Sequence, residues 1–266
     1  MRLIYIAGAA HSGSTLLDLM LNAHPEIVSV GEVLKLNRRT KRKKRSGREK
    51  PALCSCGAPI AECDFWGRVD ARIRQTDGAT LAELELQDHG NGDSNRAANG
   101  VLFKGISHVS GKSVIVDSSK LPQRLAHLMS LGEIDLYPIH LVRDPKGQLA
   151  SVIDQWGLFR GIVNYELVHL QIRRLLRAVP HSVVRYEDLV RDPEATLDTI
   201  LKPLGLRFHP QQLAWAEQAK HSVAGNHLRM KTTSELVLDE RWRHRLSRWQ
   251  LLTIECGTLA SRSLRA

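Results

Sequence analysis

The chain has 266 residues, 42% of them hydrophobic and 25% charged, which is ordinary for a globular protein with a large buried core. No apolar run reaches the roughly 20 residues needed to span a bilayer. The opening "LIYIAGAA" is short for a signal peptide and soon gives way to polar residues, so a cytoplasmic protein is expected. The net charge is +10, yet "KLNRRTKRKKRSGREK" (Lys35–Lys50) holds ten Lys and Arg against one acid and carries nearly all of the excess. No aromatic residue interleaves these charges for base stacking, which argues against a nucleic-acid protein. What is left is a solvated loop, or a collar that attracts an anionic acceptor or a membrane surface.

In chain order, "RLIYIAG" (Arg2–Gly8) reads as a short buried strand ending in glycine. "STLLDLMLNA" (Ser14–Ala23) follows as a helix, apolar nearly all round. "SVIVDSS" (Ser113–Ser119), "IDLYPIHLVRD" (Ile134–Asp144) and "HSVVRYEDL" (His181–Leu189) supply further apolar runs, with helical stretches at Gln123–Leu131 and Lys146–Gln155. Alternating strands and helices with a glycine-rich first turn predict a three-layer α/β/α fold, P-loop-like, around a central parallel sheet. Residues 33–112 break the rhythm with the basic run, three cysteines and "DHGNGDSNRAANG" (Asp88–Gly100), whose composition predicts a loop. The expectation is one domain, 1–266, with this insertion over the strand ends and shaping the acceptor site.

The first turn nearly spells a phosphate-binding loop, with Gly8, Gly13 and Thr15 in place and Ser14 where the lysine belongs. Backbone N–H groups at a helix start hold an anion without that lysine, and Gly13 allows close approach. γ-Phosphoryl transfer, however, uses the lysine at the β- and γ-phosphates. A small-molecule kinase, with Asp117 as a metal ligand, is therefore the weaker enzyme reading. A non-catalytic polyanion-binding module is a third.

The residues favour a donor with a different terminal group. "HSGST" (His11–Thr15) resembles the [KR]-S-G-[ST]-T loop of sulfotransferases that use 3′-phosphoadenosine-5′-phosphosulfate (PAPS). "LLDLMLNAHPEIVSVGE" is similar to the helix, "AHP" and "GE" of tyrosylprotein sulfotransferases. "HLVRDPKGQLAS" looks like the family's 3′-phosphate element, and "VVRYEDLVRDP" matches another recurring stretch. The four segments run from about Leu3 to Pro193. They depart from the pattern at His11, whose charge near neutrality is conditional.

The resemblance implies sulfuryl transfer from PAPS to a hydroxyl, or an amine, of an acceptor, leaving PAP (3′-phosphoadenosine 5′-phosphate). It gives Glu32 as general base, in a setting that suits a raised pKa. Lys120 is implied at the bridging oxygen of the donor, beside His11. Ser12, Gly13, Ser14 and Thr15 would cradle the 5′-phosphosulfate, and Arg143 and Ser151 the 3′-phosphate. Tyr186 would pack nearby, and Asn226 and Arg229 of "AGNHLRMK" (Ala224–Lys231) would close over the donor. The transferred group carries less charge than a phosphoryl group, so no metal is expected in this chemistry.

Three of the four cysteines lie in "CSCGAPIAECDFW" (Cys54, Cys56, Cys63). Their spacing lacks a paired zinc knuckle, and zinc ligation with a histidine, a disulfide and plain thiols all stay open. Cys256 falls at helical spacing with Leu246, Trp249, Leu252 and Leu259, as expected for the core face of a last helix.

Overall fold

The computed structural model describes residues 1–36, 42–43, 49–50, 52–86 and 92–264. In chain order it contains β1 (Arg2–Gly8), α1 (Ser14–Asn22), β2 (Ile27–Ser29) and a small hairpin of β3 (Arg42–Lys43) and β4 (Glu49–Lys50). Then come α2 (Asp64–Asp77), α3 (Gly92–Ser110), β5 (Val114–Lys120), α4 (Pro122–Ser130) and β6 (Asp135–Val142). The chain continues through α5 (Pro145–Ala150), α6 (Ile153–Trp156), α7 (Leu158–Leu176), β7 (Ser182–Arg185), α8 (Tyr186–Arg191) and α9 (Pro193–Leu201). It ends with α10 (Trp242–Arg245) and α11 (Arg248–Gly257). Among the described residues no helix is long and apolar enough to cross a membrane.

Five strands form one parallel sheet in the order β2-β5-β1-β6-β7. β1 is central and buried on both faces, which explains its unbroken apolar sequence. Leu3, Tyr5 and Ala7 point into one core, and Ile4 and Ile6 into the other. The second core takes Leu17 and Met20 of α1, Leu189 of α8 and Leu197 of α9. The first takes Trp66, Val69 and Ile73 of α2, Leu102, Phe103 and Ile106 of α3, Leu125 of α4 and Ile172 of α7. Neighbouring strands leave β1 in opposite directions through the order, so a crevice opens beyond its C-terminal end, where such sheets bind ligands.

Several local expectations need correction. Asp88–Gly100, expected as loop, is helical from Gly92 onward. Its later turns carry Leu102, Phe103 and Ile106 into the core, and this burial outweighs the poor helix propensity of the Gly/Asn/Asp start. α2 and α3 thus form a layer of the fold on the sheet. The run His181–Leu189 is a strand only to Arg185, and Tyr186 begins a helix. Cys256 is exposed, as are Trp249, Leu252 and Leu259, and α11 buries Ile254 instead. Apart from Lys35, Leu36 and the backbone of β3 and β4, the basic run lies outside the described residues.

Candidate active site

The turn after β1 is held from both sides. Gly13 has φ 94°, and a Cβ there would lie 2.4 Å from Cδ2 of Tyr186. Only glycine permits both the left-handed backbone and the close ring. The first-turn N–H groups of α1 point out of the helix end, a ready anion cradle. Gly13, Ser14 and Thr15 all line a cavity of about 500 Å³ beyond the sheet, with His11, Glu32, Lys35, Lys120, Arg143, Ser151, Tyr186 and Asn226. Lys231, Asp239 and Arg241 complete its charged wall.

Of the residues expected in this site, two are not on the wall. Ser12 is fully buried, its hydroxyl packed beneath the loop near Gly8, and its N–H donates to the carbonyl of Ala9 at 3.3 Å. Arg229 turns away and donates from Nη1 to the carbonyl of Leu53 at 3.0 Å. Asn226 is on the wall, but its side chain caps a short turn by accepting from the N–H of Leu228, while its own N–H donates to Oγ1 of Thr15.

Glu32 is buried and gripped by two lysines. Nζ of Lys120 donates to Oε1 at 2.5 Å, and Nζ of Lys35 pairs with Oε2. Burial alone would raise its pKa, but the charges and hydrogen bonds of Lys120 and Lys35 outweigh it and hold the carboxyl below its ordinary value. The expected raised pKa is therefore corrected. Lys35 belongs to this ion triad, not to a featureless basic run, and its place three residues after Glu32 was the available signal.

Backbone strain gathers at this wall. His11, Lys120 and Ala224, at φ 62°, 71° and 57°, are the non-glycine residues with positive φ among those described. Two line the cavity and the third adjoins Gly225, which does. Such conformations persist where the surroundings fix them, and they concentrate at functional sites. The His11 imidazole is held below its ordinary pKa, first by burial and then by the charges of Lys120 and Arg143. Its charge near neutral pH is therefore small, and the positive charge lining the cavity comes from Lys35, Lys120, Arg143, Lys231 and Arg241.

Arg143 is buried and held by His11, Asp239 and Tyr186. Nη1 donates to the carbonyl of His11 and Nη2 to Oδ2 of Asp239, both at 2.9 Å. Its guanidinium carbon lies 4.6 Å from the centre of the Tyr186 ring. Neither Asp144 nor Glu187 takes it: Asp144 caps α5, and Glu187 accepts from the N–H of Asp144. Asp239 sits 96 residues along the chain and had no local signal. Ser151 donates to the carbonyl of Gly147 at 3.1 Å and keeps its place on the wall.

The segment behind the cavity is pinned by a buried acid. Asp18 accepts from Oγ of Ser29 at 2.5 Å and of Ser222 at 3.2 Å, tying α1 to β2 and to the stretch before Asn226. Burial raises its pKa to about 6. Because the unfolded value is near 3.9, the native state binds the extra proton between roughly pH 4 and 6, and stability falls as pH rises through that window. The cost above it is about 3 kcal/mol at about 1.4 kcal/mol per unit. Asp18→Asn should therefore gain on the wild type by about that much between pH 4 and pH 8 in urea unfolding. A difference that does not change with pH would show that this carboxyl is not the titrating group.

Asp117 cannot serve as a freely exposed metal ligand. It is wholly buried, its Oδ1 accepts from the N–H and hydroxyl of Ser119, and its Oδ2 pairs with Nε of Arg124 at 3.3 Å. The kinase reading loses its metal-binding strand end to an internal ion pair.

A parallel sheet with a glycine turn and helix start after its central first strand defines an α/β/α protein of the P-loop-like fold class. The family model "Sulfotransferase family" matches residues 4–210, and the chain belongs to that family. The sulfotransferase domain from the curacin biosynthetic pathway is similar in fold: TM-score 0.62, 16% identity, 99% of this chain and 97% of that one. The sulfotransferase domain of the olefin synthase from Synechococcus PCC 7002 gives TM-score 0.55 and 20% identity, over 96% and 94%. No curated protein matches.

Proposed function

We propose that this sulfotransferase takes its sulfuryl group from PAPS and passes it to a hydroxyl with Glu32 as general base. The observation that carries the reading is the convergence of Glu32, Lys120 and the Gly13–Thr15 cradle on one cavity, with Arg143 beside the same turn through its hydrogen bond to the His11 carbonyl. The donor would supply a sulfuryl group whose bond to the 5′-phosphate oxygen breaks as the acceptor oxygen bonds to sulfur. The N–H groups of Ser14 and Thr15 hold the 5′ end, and Lys120 stabilises the charge that develops on the departing oxygen. Arg143 and Ser151 take the 3′-phosphate, which competes with Asp239 for the guanidinium. Glu32 receives the acceptor proton. As Lys120 turns to the donor, the carboxylate loses its strongest partner and becomes more basic, which suits that task.

A second cavity of about 310 Å³ shares Glu32, Lys35 and Lys120 with the first. Its other walls are mainly apolar, with Leu34, Leu121, Pro122, Trp156 and Val168 beside the small residues Gly8, Ala9 and Ala10, and Ser119 and Asn164 add two polar groups. We assign it to the acceptor, whose reacting hydroxyl would be carried by an apolar body, while Lys35 offers a place for an anionic group.

The test is calorimetric titration with PAP and with ATP–Mg²⁺. Tight binding of PAP with weak or no binding of ATP–Mg²⁺ is expected, because Arg143 offers charge for a ribose phosphate that ATP lacks. Preference for ATP–Mg²⁺ would overturn the donor assignment. Loss of all binding on deleting Thr40–Arg48, of which only 42–43 are among the described residues, would favour a polyanion module.

A further inference from the structure

We infer that Cys54, Cys56, Cys63 and His221 form a structural zinc site that ties the insertion to the segment behind the active site. The three thiols come from one short stretch. The fourth member lies 158 residues beyond Cys63 and was invisible in the spacing. Their candidate ligand atoms all lie within 4.8 Å of one another. The Sγ atoms of Cys54 and Cys63 are 3.6 Å apart, and those of Cys56 and Cys63 are 3.7 Å apart. Nδ1 of His221 is 3.8 Å from Sγ of Cys54 and 3.3 Å from Sγ of Cys63.

Those separations are the edges of a metal tetrahedron. With Zn–S near 2.3 Å and Zn–N near 2.0 Å, S···S edges come to about 3.8 Å and S···N edges to about 3.5 Å. Two bonded sulfurs would be about 2.05 Å apart, so no pair here is a disulfide. A two-iron cluster would divide its ligands between two metals and spread them farther apart, whereas these four ligand atoms all lie within 4.8 Å of one another. Three soft thiolates and an imidazole with no open position make a closed structural zinc set.

The surrounding backbone and rings hold the four ligands in place. Gly57, at φ 94°, turns the chain between Cys56 and the Ala58 carbonyl, which accepts from the N–H of Cys54 at 2.8 Å. Cys63 sits at the N-cap of α2, which fixes its position at the start of that helix. His221 stacks on Phe65, ring centres 4.9 Å apart, and its carbonyl accepts from Nε1 of Trp66 at 3.0 Å. Cys54 and Val223 form a backbone bridge, and the carbonyl of Val223 accepts from the N–H of Glu32 at 2.8 Å. The ion would therefore fasten the stretch that seats Glu32 and leads into Gly225 and Asn226. None of the four ligands lines the donor cavity, so the site is separate from sulfuryl transfer.

The test is elemental analysis of the full chain purified without chelator or metal-affinity tag. About one zinc per chain is expected, as for a closed four-ligand site. Cys56→Ser, at the exposed ligand, should fold yet bind zinc more weakly, releasing it faster to a chromogenic chelator. Reconstitution with cobalt(II) should give the intense visible bands of a tetrahedral thiolate complex, a readout that needs no variant to fold. Metal-free protein with all four cysteines titrating as free thiols would overturn the proposal. So would a mass two hydrogens low from a disulfide, a stoichiometric metal other than zinc, or octahedral cobalt spectra.

Discussion

Arg143→Ala is expected to weaken PAP binding by roughly 2–4 kcal/mol, or about 30- to 800-fold, the scale of removing one partner of a buried charged pair. The side chain is buried, bridges His11 and Asp239, and lies over Tyr186, so its loss removes a fixed buried charge. Calorimetry with PAP and with adenosine 5′-phosphosulfate separates the causes. The penalty should fall mainly on the nucleotide with the 3′-phosphate. Equal penalties on both would place Arg143 at another part of the donor, and unchanged PAP binding would remove it from the site.

Glu32→Gln should lower turnover by about 10²- to 10⁴-fold, the usual worth of a positioned general base, while PAP affinity stays within a few-fold of wild type. The amide keeps the shape of the carboxylate but cannot take the acceptor proton. The two lysines keep the wild-type carboxyl below its ordinary pKa, so it is ionised throughout neutral pH in the absence of donor. The acid limb of kcat/KM for the donor, which reports the donor-free enzyme, should consequently lie at lower pH than the acid limb of kcat, where Lys120 has turned to the donor, and both limbs should vanish in the variant. Lost PAP affinity with unchanged turnover would show that Glu32 is an electrostatic partner of the lysines and not the base.

Much of this architecture is written locally. The first strand, its glycine turn and the helix after it occupy consecutive residues, so apolar run, glycine and helix start together specify backbone shape and burial. β5 and β6 are legible for the same reason. α3 is not, because its first residues carry turn chemistry while its later ones are held by packing on the sheet. α7 was equally hidden: its 19 residues mix buried Ile162 and Ile172 with exposed Phe159 and Val163, which blurs a single apolar face. The stripe containing Cys256 shows the converse. Helical spacing identifies an apolar face, but only the surrounding fold decides that it meets solvent.

The sequence by itself determined the parallel α/β plan and the lysine-free anion loop, because each is marked by residue type at short spacing, and its resemblance to a known family added the candidates Glu32, Lys120 and Arg143. Only the tertiary structure decided their partners. Lys120 reaches Glu32 across 88 positions, Asp239 reaches Arg143 across 96, and His221 reaches Cys63 across 158. Short-range spacing records which way the backbone turns and which face is apolar. It carries no trace of which distant side chains the folded sheet brings within a hydrogen bond, and the charge state of Glu32 depends on those contacts.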